Sequence, residues 1–184
     1  MDIEVFKQDL KKHASELLVR SHVLSGDTHV LGGVEYVQLR EDVANHFNID
    51  TFQVFMVGSG KMGFSIKPTR RFGIFNDQSD IDLAIISPDL FERVWQSAYK
   101  YKISGADWPK QNSFFEYLIN GWIRPDKFPS SEIDPFFEEW WDFFNALTRS
   151  RKYGHYKIRA GLYQSRFFLE QYQKICIEEC KEII

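Results

Sequence analysis

The sequence predicts a single α/β domain in which short buried strands are interspersed with helices. Two runs rich in β-formers, residues 52–57 (FQVFMV) and 81–86 (IDLAII), end at turn chemistry and read as buried strands. The segments around them carry apolar residues at helical spacing. The size agrees: 184 residues, 43% hydrophobic and 27% charged, suit one domain of ordinary composition and exclude a disordered chain.

Residues 2–20 read as a helix, with Asp2 as cap and Ile3, Phe6, Leu10 and Leu17 on one stripe. A loop rich in Gly, Ser and Asp follows, then a helix over residues 34–47. After the first strand, Gly58-Ser59-Gly60 opens an irregular stretch over residues 60–79, long enough to suggest function or mobility. The second strand ends at Ser87-Pro88, a cap and first-turn proline for a helix to about Lys100. A helix over 111–121 leads into a proline-rich connector, and Asp134-Pro135 opens a further helix over 135–147. A short strand is expected over 156–163 and a final helix over 165–184. The whole chain is expected to be one domain, with its core at about 34–165 and the helices 2–20 and 165–184 as extensions.

A net charge of −3 gives no general basis for nucleic-acid binding. No run of 18 apolar residues suggests a membrane span, and the first residues, MDIEVFKQDLKKH, lack the apolar core of a signal peptide. With only Cys176 and Cys180, read as buried thiols, the expected location is the cytoplasm. Aromatic content reaches 16%, concentrated in PFFEEWWDFFNAL. A helix so widely apolar either sits in the core or covers a protein partner or a second copy of the chain, and core is the favoured reading.

The sharpest feature is Asp80-Ile81-Asp82 on the second strand. Alternate strand residues share a face, so the two acids point the same way, about 6 to 7 Å apart at Cα. Carboxylates held so close repel unless a cation joins them, and hard oxygen ligands suit Mg²⁺ or Mn²⁺ shared with phosphates. Gly58 permits a tight turn and close approach of a phosphate, which the amides and hydroxyl near Ser59 would hold. The bland alternative is the wet face of an edge strand.

The pattern VGSG…SDIDLAII, over residues 52–87, resembles the nucleotidyltransferase superfamily that shares the DNA polymerase β fold. The wider run is similar to small bacterial members found near defence genes. The resemblance implies an α+β fold, a small mixed β-sheet flanked by helices, and transfer of a nucleotidyl group from an NTP with two metal ions, Mg²⁺ or Mn²⁺. It implies Asp80 and Asp82 as catalytic metal ligands, and Gly58, Ser59, Lys61 and Ser79 as nucleotide-binding residues. The acceptor stays open: RNA such as tRNA, a protein hydroxyl, or a small molecule. The spacer to Asp80 is longer than in minimal members and carries Lys61, Lys67, Arg70 and Arg71, which read equally as phosphate clamps or a solvated loop. Active members also supply a third carboxylate from a later strand. The candidate strand YKIRAGLY has no acid, and Asp107, Glu116 and Glu170 are weak stand-ins. A degenerate member that binds a nucleotide or a protein without chemistry is therefore the alternative.

Other signals lead elsewhere. Gly58 to Gly63 matches G-x-G-x-x-G, but Pro68 and Gly73 leave little room for the helix a dinucleotide site needs. Arg149 and His155 resemble the Arg-x(4–6)-His motif of HEPN ribonucleases, yet too few residues remain for that helical bundle. A basic surface turn is the favoured reading.

Overall fold

A computed structural model describes residues 1–130 and 132–184; Ser131, within the predicted connector, lies outside the described residues. The predicted mixed sheet is present. Its strands are β1 (Val54–Val57), β2 (Ile81–Ile86), β3 (Trp122–Ile123) and β4 (Ile158–Tyr163), in the order β1-β2-β4-β3. β2 runs antiparallel to β1 and parallel to β4, and β3 closes the far edge antiparallel to β4.

Strand alternation divides the apolar residues between two cores. Ile81, Leu83 and Ile85 face one side with Ile158 and Leu162. There they meet α3 (Gly33–Phe47), α5 (Pro88–Ile103), α6 (Gln111–Ile119) and α7 (Phe136–Ser150). Ala84 and Tyr163 belong to the other side, packed with α1 (Ile3–Lys12), α2 (Ser15–Leu18), α4 (Gly58–Met62) and α8 (Arg166–Lys181). The terminal helices read as extensions are thus one wall of the fold, and α8 carries buried Leu169, Cys176, Ile177 and Cys180. Both cysteines are free and buried, and burial pushes the Cys176 thiol up to about 11.

The local signals hold where the caps are chemical. Asp2 accepts from the Glu4 and Val5 amides, Ser87 from Leu90, and Asp134 from Phe136. Several boundaries differ. The first helix stops at Lys12, turns extended at His13, and resumes as α2 and one π-helical turn, Val19–Val23. The first strand is shorter than predicted, because Asp50 caps a 3₁₀ turn at Thr51–Gln53 and Phe52 is left 77% exposed. The Gly-Ser-Gly turn does enter a helix, the five-residue α4, which Gly63 ends at φ 90°. The last helix ends at Lys181, short of the predicted 184, and Ile183 beyond it is 54% exposed. His13 and His46, although each lies within a predicted helix or at its break, are both exposed residues. Phe136, Phe137, Trp140 and Phe144 are buried, so the aromatic face of α7 is spent in the core. Among the described residues no helix is long and apolar enough to cross a membrane.

Candidate functional site

β1 delivers the chain to Gly58 beside the acid-bearing strand, since Val57 pairs with Asp82. Gly58 adopts φ +68°, and a Cβ there would sit 3.2 Å from Asp82 Oδ2. A side chain is therefore strained by the conformation and crowded by the acid itself. Gly58→Ala is expected to lower stability by about 1–2 kcal/mol, the cost of a left-handed non-glycine residue, read as a shifted urea midpoint at constant slope.

Asp80 and Asp82 lie about one-third exposed on the same side of β2. Each already faces a cation. Arg159 Nε stands 3.1 Å from Asp80 Oδ2, and Lys67 Nζ stands 3.2 Å from Asp82 Oδ2. Arg159 reaches the acids because β4 runs parallel to β2 with Asp82 and Arg159 in register. Partly exposed pairs of this kind contribute on the order of 0–1 kcal/mol, so an incoming phosphate can exchange with them.

Lys67 comes from the segment expected to be irregular, which is in fact folded back on itself. Phe64 bridges Ile74, the Ser65 amide donates to the Gly73 carbonyl, and the Phe72 amide donates to that of Ser65. The fold sends Lys67 and Arg70 to the acids' cavity but takes Arg71 toward Glu179, 3.7 Å away. Lys61 points elsewhere. It is 6% exposed, and its ammonium donates to the carbonyls of Ser25, Gly26 and Asp27 at 2.6, 2.6 and 2.7 Å. Burial draws its pKa below the usual lysine value, with Asp27 opposing. Lys61 thus anchors a loop and does not line the cavity. Ser79 does line it, 4% exposed, with its hydroxyl accepting from the Asn76 amide.

The cavity holds about 560 Å³, within the usual range for small-molecule sites. Gly58, Ser59, Ser79, Asp80 and Asp82 contribute to it together. It continues past Arg159 along β4 toward Trp122, Arg124 and Trp141, residues that sequence reasoning did not assign to the site. Only Arg159 left a signal, as an alternate residue in a strand already recognised.

None of the stand-in acids lines this cavity. Asp107 accepts from Gln111 on the first turn of α6. Glu116 lies further along α6. Glu170 is held below the usual carboxylate range by hydrogen bonds from Arg20 and Arg166. Asp126 does line the cavity, but it is paired with Arg124 and Lys127. Arg149 is exposed at the end of α7, and His155 lies 3.4 Å from Asp77; neither lines the cavity.

The donor set decides what cation these residues suit. Two carboxylates fit one Mg²⁺ or Mn²⁺ completed by substrate phosphates. Beside them on β4, in register with Asp82, stands Arg159 and not a further acid that could hold a second ion. Among the described residues no cluster of three or more His, Cys, Asp or Glu side chains is poised for a metal. No family model, curated protein or solved structure matches this chain.

Proposed function

We propose that the cavity binds a nucleoside triphosphate and transfers its nucleotidyl group to an acceptor hydroxyl. The observation that carries this reading is the Gly58-Ser59 turn packed on Asp82, with Asp80 on the same strand face. Asp80 and Asp82 would hold one Mg²⁺ or Mn²⁺ shared with the phosphates. When bound there, the cation neutralises triphosphate charge and favours departure of pyrophosphate. The rest falls to the chain. Gly58 lets the backbone lie against the Asp82 carboxylate, and Ser59 offers its hydroxyl to the same cavity. Lys67 and Arg159 exchange their carboxylates for phosphate oxygens, and Arg70 adds positive charge on the same cavity. Catalysis would come from positioning and charge stabilisation. The acceptor is an RNA, protein or small-molecule hydroxyl.

A second reading has its own observation. The Arg159–Asp80 pair stands where a further acid would complete a metal site, which favours nucleotide binding without transfer. Calorimetric titration with the four NTPs and Mg²⁺, beside a transfer assay with α-labelled NTP, separates the two. Asp82→Asn is expected to weaken binding at least tenfold and abolish transfer, with an unchanged thermal midpoint. Equal binding by wild type, Asp80→Asn and Asp82→Asn would overturn the site. Metal-dependent binding with no pyrophosphate released in the presence of RNA, protein or small-molecule hydroxyls would favour the second reading.

A further inference from the structure

We infer that the base of the bound nucleotide is adenine, read by the unpaired outer edge of β4. This inference rests on the nucleotide site proposed above. In β4 the backbone groups of alternate residues turn to opposite sides. The Ile81 amide donates to the Lys157 carbonyl and the Ser87 amide to the Tyr163 carbonyl, so Lys157, Arg159, Gly161 and Tyr163 bond toward β2. Ile158, Ala160 and Leu162 therefore present their N–H and C=O groups outward. Leu162 is paired with Ile123, and beyond it the Gln164 amide donates to the Gly121 carbonyl at 3.0 Å.

At Ala160 the pairing stops. The residue opposite would be Pro125, which has no N–H and begins a 3₁₀ turn, Pro125–Lys127. The Pro125 carbonyl accepts from the Phe128 amide instead. The Ile158 amide donates to Thr148 Oγ1 at 3.0 Å. Among the described residues, that leaves the Ile158 carbonyl, the Ala160 amide and the Ala160 carbonyl without a protein partner. Main-chain groups in a recess call for partners, and Ile158 and Ala160 are among the residues lining the cavity onto which Asp80 and Asp82 open. One strand spacing, about 4.8 Å, separates β4 from the acid-bearing strand.

The free groups run acceptor, donor, acceptor along the edge. Their complement is donor, acceptor and a weak C–H donor, which is the order of the 6-amino group, N1 and C2–H of adenine. Guanine and uracil laid along the same run oppose N–H to N–H, and cytosine opposes carbonyl to carbonyl. Pro125 and Trp141 line the same cavity and offer apolar surface for a planar base.

The test varies the base and leaves the protein intact. Wild-type protein is titrated calorimetrically with MgCl₂ and ATP, GTP, CTP, UTP, ITP, 1-deaza-ATP or N6,N6-dimethyl-ATP. ATP is expected to bind at least tenfold tighter than GTP, CTP, UTP and ITP. Loss of N1 or of the amino protons should each cost tenfold or more. Equal affinity for the four common triphosphates, or a preference for another base, would overturn the inference and leave the triphosphate site standing. Unimpaired binding of 1-deaza-ATP would overturn it as well. No binding of any triphosphate would remove both.

Discussion

Lys61→Met is expected to lower the unfolding free energy by on the order of 3 kcal/mol, measured by urea denaturation. The side chain is 6% exposed and donates to three carbonyls of the 25–27 loop. Methionine keeps the length and apolar stem but removes every donor, so three acceptors lose a charged partner at once. Amide exchange should quicken at His29 and Val30 too, whose amides bond to the α4 carbonyls beside Lys61. A change under about 1 kcal/mol would mean that water replaces the ammonium there without penalty.

Trp140→Ala should cost about 3–5 kcal/mol, the usual range for a buried aromatic truncated to a methyl. Trp140 is 1% exposed, with Phe47 and Phe144 ring centroids at 5.0 and 5.1 Å and Phe136 at 5.8 Å. Its neighbour makes the control. Trp141 is 37% exposed, so the same truncation there should cost about 1 kcal/mol or less. Similar urea midpoints for the two variants would show that the aromatic helix is not anchored through Trp140.

The acid pair and the Gly-Ser turn were legible because both are local. Strand alternation puts Asp80 and Asp82 on one face, and a glycine closing an apolar run marks a turn. Arg159 is a different case. Its strand was legible, but its place beside Asp82 depends on which strand becomes the neighbour of β2, which no local pattern carries. Lys61 sits three residues after Gly58 and read as a phosphate ligand, whereas the one-turn helix α4 rotates it toward the 25–27 loop. β3 is too short to show alternation and lies among prolines. The break at His13 has no glycine or proline to announce it. The two pieces, α1 and α2, instead contribute Phe6, Leu10 and Leu18 to the core that α8 shares.

The parallel pairing of β2 with β4 bears on how the chain folds. Residues 81–86 find their partners at 158–163, across α5, α6, β3 and α7. Closing that loop costs entropy before its contacts repay it, so the central pairing is expected to form late and to set a slow folding rate. On a ribosome the acid-bearing strand leaves the tunnel long before β4, and during that interval only β1 can cover one of its edges. A nascent chain stalled near residue 150 would therefore expose an apolar strand edge, the kind of surface that holdase chaperones bind and that aggregates when left uncovered.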